Sequence, residues 1–167
     1  MEEDRWADLV RRMKETEMFR EDRMDPRFVA SNYYAGRAVL RGPNPSRRGT
    51  PARIEAYTAL VKTRDPNWFE IALMYVDEKL QGNGVAKGLL TEVRTKKPGA
   101  KFFLISRDPA VWALARGAGF DPVTKRFFPE VEDWAKRLGL GEWLPDTALR
   151  DTVPRLNREE RWLFRKK

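Results

Sequence analysis

LMYVDEKLQGNGVAKGLL, running from Leu73 to Leu90, joins an apolar run, a short turn on Gly82, Asn83 and Gly84, and a basic, apolar stretch. The residues from Trp68 to Val76 are nearly all apolar, which predicts a central strand covered on both faces. Val85, Ala86, Leu89, Leu90 and Val93 fall on one stripe, so a helix follows the turn. Lys96 and Lys97 suit the negative end of that helix, and Pro98-Gly99 stops it. A glycine-rich turn that opens a helix is an anion site by construction. Its backbone N–H groups converge and the helix terminus adds partial positive charge.

Working outward, Lys101 to Ser106 (KFFLIS) predicts a further buried strand, so strand, helix and strand form a βαβ unit. Asp108 caps a second helix that Pro109 starts and Gly117-Ala118-Gly119 ends. Phe120 to Phe128 reads as a strand, Val131 to Leu138 as a helix, and Arg161 to Arg165 as a last strand. Upstream, residues 5–20 carry Trp6, Leu9, Val10 and Met13 at helical spacing, with Met18 extending the stripe. Asp25-Pro26 breaks it and opens a short helix over Arg27 to Tyr34. Strands are expected at Ala35 to Leu40 and Arg53 to Lys62, around a Pro-, Gly- and Arg-rich loop from Arg41 to Pro51. The order implies an α/β fold with a mixed sheet flanked by helices.

The 167 residues suit one domain, 1–167, and an apolar fraction of 41% is enough for a core. The chain has no cysteine and no histidine. That excludes disulfides, thiolate chemistry, Ser-His and Cys-His nucleophiles and most zinc sites, and no metal is expected. Any catalysis must use carboxylates, tyrosine, lysine, hydroxyls or backbone groups. The acidic, amphipathic start MEEDRWADL is not a signal peptide, and the apolar run Ile71 to Val76 is too short to span a membrane. A cytoplasmic protein is the expectation. The net charge of +8 is either a solvated Arg-rich surface or a preference for an acidic ligand or nucleic acid.

Three phosphate loops begin this way. A P-loop needs G-x-x-x-x-G-K-[ST], but Lys87 stands where the second glycine belongs. A dinucleotide fingerprint needs G-x-G-x-x-G, and Lys87 again takes the third glycine's place. The pattern [Q/R]-x-x-G-x-[G/A] is matched in full by Gln81, Gly82, Asn83, Gly84, Val85 and Ala86. This resembles the pyrophosphate loop of the GNAT superfamily of acyl-CoA-dependent N-acyltransferases. SRDPAVWALARGAGF, Ser106 to Phe120, resembles that family's next strand-to-helix element at the right distance. The resemblance covers Trp68 to Phe120; the rest of the chain matches in element order.

The resemblance implies a central, mostly antiparallel sheet of about six to seven strands, with a helical insertion at residues 129–157. It implies acetyl-CoA as acyl donor and a primary amine, on a small molecule or a protein, as acceptor. Gln81, Gly82, Asn83, Gly84, Val85, Ala86 and Lys87 would hold the diphosphate. Backbone groups of Met74, Tyr75 and Val76 would pair with the pantetheine arm, and an N–H there would polarise the thioester. Glu70, eleven positions before Gln81, stands where the histone-acetyltransferase branch carries its general base. Alternation in a regular strand would put Glu70, Ala72, Met74 and Val76 on one face.

Some positions depart from the family. The tyrosine that many members use to protonate the leaving thiolate is replaced by Ala115, leaving Tyr33, Tyr34, Tyr57 and Tyr75 as substitutes. Asp108 stands for a frequent asparagine and reads as a structural cap; Glu78 stands for a frequent proline. In 129–157, Trp134, Trp143 and Leu144 read as a small subdomain packing its own aromatics, ahead of an acceptor-binding lid. Two rival readings remain beside the small-molecule or protein acetyltransferase. One is an acetyltransferase for an amine linked to nucleic acid. The other is a non-catalytic CoA-binding interaction protein.

Overall fold

A computed structural model of the chain describes residues 2–43, 51–106, 108–122, 131–140 and 162–166. The chain divides into two compact units, one made of Met1–Val61 and Ile71–Pro98, the other of Lys62–Glu70 and Gly99–Lys167.

The first unit opens with helix α1 (Glu2–Glu15), whose Trp6, Leu9, Val10 and Met13 are all buried. The helix stops five residues short of the expected end. The Thr16 hydroxyl donates to the Met13 carbonyl at 2.7 Å, the Met18 N–H donates to that hydroxyl, and Glu17 turns left-handed at φ 56°. Local hydroxyl bonding of this kind competes with further helix. Helix α2 (Pro26–Tyr34) has the predicted cap: the Asp25 carboxylate accepts the Arg27 N–H at 2.9 Å, with Pro26 in the first turn.

Strand β1 (Ala38–Arg41) begins later than Ala35. Gly36, at φ 72°, donates to the Tyr33 carbonyl, and Arg37 donates to that of Asn32. This pair of bonds closes α2 in a Schellman motif, which takes up Ala35 to Arg37. Strand β2 (Ala56–Lys62) pairs antiparallel with β1, from Ala38 opposite Ala59 to Arg41 opposite Ala56. Strand β3 (Trp68–Val76) lies next to β2, and Thr58 of β2 donates its hydroxyl to the Ala72 carbonyl. Helix α3 (Val85–Arg94) buries Leu89, Leu90 and Val93 as its stripe predicts. The α1 stripe, Val29, Ile54, Tyr57, Ala72 and Leu73 form one buried cluster. Each fully buried aliphatic side chain in it contributes roughly 1.5–3 kcal/mol.

In the second unit the start of β3 runs parallel to β4 (Lys101–Ser106), with Trp68, Phe69 and Glu70 opposite Lys101, Phe102 and Phe103. β4 pairs antiparallel with β6 (Trp162–Lys166), which also pairs with β5 (Phe120–Pro122). The sheet is therefore mixed, as the element order implied. Helix α4 (Pro109–Gly117) carries the expected cap, Asp108 accepting from the Ala110 N–H at 2.9 Å. Helix α5 (Val131–Leu138) sets Trp134 against Trp68 and Phe103, with ring centroids 5.2 and 5.4 Å apart. Trp134 thus packs on strand residues. Trp143, Leu144 and the second half of the strand expected at Phe120 to Phe128 lie outside the described residues. No helix among the described residues is long and apolar enough to cross a membrane.

Candidate functional site

The turn that follows β3 is built in steps, all within the first unit. Asp77 donates its N–H to the Glu55 carbonyl at 2.8 Å, which ties the end of β3 to the chain entering β2. Glu78–Leu80 then makes one 3-10 turn, closed by Leu80 donating to the Asp77 carbonyl. Gln81 is extended, and its side-chain amide donates back to the Val76 carbonyl at 3.1 Å. Gly82 and Gly84 both take left-handed backbone, at φ 82° and 76°. A Cβ on either would meet no atom within 4 Å, so the requirement for glycine there is torsional and the space above the turn is open.

Gly84 is the N-cap of α3 and offers no side chain to it. The first-turn N–H groups of α3 have no acceptor within the helix. They stand at the positive end of the helix, beside the exposed Lys87. Gln81 to Lys87 form one continuous, largely exposed turn at the start of α3. Met74, Tyr75 and Val76, half-buried, lead into it from β3.

One backbone feature of β3 was not expected. Leu73 is left-handed at φ 57°, in mid-strand, with its side chain buried. Consecutive residues Ala72 and Leu73 both join the α1–α2 cluster, with Tyr75 packed against it. The alternation expected to align Glu70, Ala72, Met74 and Val76 on one face is therefore broken at Leu73. A bulky residue in this region is a strained outlier, costing about 1–3 kcal/mol, and such outliers gather at functional sites.

Beside this turn lies a buried polar cluster that the sequence reading missed. The Arg12 guanidinium donates to the Asp77 carboxylate at 2.7 Å, to the Ile54 carbonyl at 2.5 Å and to Asp8 at 3.0 Å. It also donates to the Tyr75 hydroxyl at 3.4 Å, which in turn donates to Asp77 at 2.6 Å. Burial and the bond to Asp77 push the Tyr75 phenol above its ordinary pKa. Arg53 approaches the other Asp77 oxygen at 3.4 Å. Arg12, Arg53, Tyr75 and Asp77, with Thr16, Lys79 and Gln81, line a cleft of about 740 Å³. The sequence held a signal for Arg12: it follows Leu9 by three residues and precedes Met13, so it sits on the apolar stripe of α1.

Glu70 belongs to the second unit, where it is 5% exposed and stands opposite Phe103. Ala115, at the position where a tyrosine was sought, is fully buried in α4. Of the four tyrosines offered as substitutes, Tyr57 is buried and donates to the Val29 carbonyl, and burial drives its pKa far up. Tyr75 donates its hydroxyl hydrogen bond to Asp77. Tyr33 stacks against Trp6 at 5.7 Å, and Tyr34 is exposed. Among the described residues no group of three potential metal ligands comes together.

No family model and no curated protein sequence matches the chain. Solved structures do match its fold. A GNAT-family acetyltransferase from Staphylococcus aureus Mu50 superposes with a TM-score of 0.59 at 17% identity, covering 98% of this chain and 91% of that one. Rv2747 from Mycobacterium tuberculosis, solved with CoA and NLQ, gives 0.53 at 14% identity, over 96% and 92%. The N-acetylglutamate synthase of Neisseria gonorrhoeae, solved with coenzyme A and N-acetyl-glutamate, gives 0.57 at 14% identity over 96% of this chain. The chain spans 31% of that synthase.

Proposed function

The chain has the fold of the GNAT acetyltransferases, and on that premise we propose that it is an acyl-CoA-dependent N-acyltransferase with acetyl-CoA as donor and a primary amine as acceptor. One observation carries the reading: the cradle at Gln81 to Lys87, where two left-handed glycines stand open above the first turn of α3. The cradle fits a diphosphate. It presents backbone donors, a helix N-terminus and Lys87, and nothing bulkier than hydrogen on Gly82 and Gly84.

The donor supplies an activated thioester. The chain's part is to bind, orient and move a proton. Gln81, Gly82, Asn83, Gly84, Val85, Ala86 and Lys87 hold the diphosphate. Backbone groups of Met74, Tyr75 and Val76 take the pantetheine arm, a role supported by the left-handed Leu73 just before them. An N–H of that stretch polarises the carbonyl. Glu70 takes one proton from the acceptor ammonium, and the free amine forms the C–N bond as the C–S bond breaks, its second proton passing to the departing thiolate. The thiolate leaves without a tyrosine at position 115. The acceptor is a small molecule or a protein amine. The charge of +8 also fits an amine carried by nucleic acid, whose binding would weaken steeply with salt.

A thermal-shift titration with acetyl-CoA tests the reading. At a hundredfold excess over Kd, ligand binding to the native state alone stabilises by about 2.7 kcal/mol. For a chain of this length that raises the midpoint by roughly 5–10 °C. An unmoved midpoint at saturating acetyl-CoA would remove the proposal.

A further inference from the structure

Asp77 is where β3 becomes the anion cradle, and it is held from several directions. Its N–H is fixed to Glu55 and its carbonyl accepts from Leu80. Its carboxylate accepts from Arg12 and Tyr75. Arg12 itself is anchored on α1, and its other donors go to Ile54 and Asp8. Both side chains of the ion pair are only 8% exposed. Replacing a buried ion pair by apolar residues of similar volume is often neutral or stabilising, so this pair is not explained by stability. What it supplies that apolar packing cannot is direction. A planar guanidinium with several fixed acceptors admits one position for Asp77, and so one course for the chain into Glu78–Leu80.

We propose that the buried Arg12–Tyr75–Asp77 cluster is a positioning device that sets the course of residues 77–84 and thereby the affinity of the cradle for the acyl donor. The inference rests on the donor reading above. Neither Arg12 nor Asp77 touches the donor in this scheme. They act through the turn, since a displacement of about 1 Å in a binding group is enough to cost a large factor in affinity or rate. It also makes α1 part of the donor site, although the α1 sequence is remote from the loop.

The test uses the full chain carrying Arg12→Met together with Asp77→Leu, and separately Arg12→Lys. The double variant keeps apolar volume and removes the directional bonds; Arg12→Lys keeps the charge and loses the fork. Two quantities are read. The first is the calorimetric Kd for acetyl-CoA beside the melting midpoint. The second is hydrogen exchange, without ligand, at the Asp77, Leu80 and Gln81 amides relative to those of β2.

Positioning predicts that the double variant melts at or above the wild-type temperature while Kd rises about tenfold or more. It predicts faster exchange at those three amides in both variants, with β2 unchanged. A merely structural role predicts a lowered midpoint with Kd and loop exchange unaltered, and that result would overturn the proposal. If the wild-type chain fails to bind acetyl-CoA, the donor reading falls. The exchange arm then still decides whether the cluster directs the turn.

Discussion

The Arg12 guanidinium reaches across 65 positions of sequence to place Nη1 2.7 Å from the Asp77 carboxylate, and both side chains are more than nine-tenths buried. Removing one member alone differs from replacing both. Asp77→Ala leaves the buried Arg12 cation with only the partly exposed Asp8 as its carboxylate partner and should cost up to about 3–5 kcal/mol. The exposed pair Arg41–Glu92, at a similar 2.6 Å, is the control: Glu92→Ala should cost less than about 1 kcal/mol. Urea unfolding of both variants checks the ranking. Equal losses would mean that burial does not govern the Arg12–Asp77 pair.

Leu73 gives a test with an unusual sign. Leu73→Ala should lose about 2–5 kcal/mol, because a buried leucine is truncated. In an ordinary strand Leu73→Gly would lose roughly 0.5–1 kcal/mol more. At φ 57°, however, the Cβ of alanine is itself strained by about 1–2 kcal/mol, and glycine is not. Leu73→Gly should therefore be as stable as Leu73→Ala or more so. A markedly less stable glycine variant would show that the left-handed backbone is not held in solution.

Local features and long-range contacts differ in how far a sequence discloses them. Helix starts were legible because Asp25-Pro26 and Asp108-Pro109 put an acceptor and a fixed φ in adjacent positions, a local rule that local structure obeys. The turn before α3 was legible for the same reason, since Gly82 and Gly84 mark torsions few other residues tolerate. Leu73 gives no such mark: it is an apolar residue in an apolar run. The register of α1 predicts its buried stripe, but not that Arg12 within that stripe is paired. Its partner stands in a different element, and no local pattern links them. The glutamate on β3 was visible as a lone carboxylate among apolar neighbours. Its relation to Met74 and Val76 was misjudged because alternation was carried through Leu73.

The N-terminal helix supplies a pH dependence. The bond from Arg11 chiefly, with help from Arg12, holds the Asp8 carboxyl below its ordinary pKa. A carboxylate depressed in the folded state stabilises fully above its unfolded pKa and loses that contribution as pH falls through the folded value. Stability should therefore drop on acidification below the ordinary aspartate range. Asp8→Asn should flatten that acid limb while lowering stability at neutral pH by less than about 1 kcal/mol, because the pair is partly in water. The measurement is the unfolding midpoint between pH 2 and 7 for both proteins. An unchanged acid limb would assign the dependence to other carboxylates.

At Gly84 the cost of a side chain is torsional, since a Cβ would touch nothing within 4 Å. Gly84→Ala should cost about 1–2 kcal/mol in folding. It should also weaken acetyl-CoA binding well beyond that effect, by turning the first-turn amides of α3. Asparagine tolerates left-handed backbone, so Gly84→Asn should retain more of both than Gly84→Ala. Melting and calorimetric titration on the same two variants decide it. Equal binding by wild type and Gly84→Ala would place the diphosphate elsewhere.

Glu70→Gln separates a base from a structural carboxylate. Glu70 is 5% exposed, and glutamine keeps its volume and its capacity for hydrogen bonds, so the variant should fold and bind acetyl-CoA as the wild type does. Loss of a positioned general base typically lowers turnover by about 10²–10⁴-fold. The comparison is made at saturating donor on whichever primary amine an acceptor panel first shows to be acetylated, across pH. A catalytic Glu70 predicts that the residual rate climbs with pH, because more of the acceptor then arrives already deprotonated and needs no base. Turnover within twofold of wild type, with the same pH profile, would make Glu70 a packing and pairing residue of β3 and return the proton transfer to solvent.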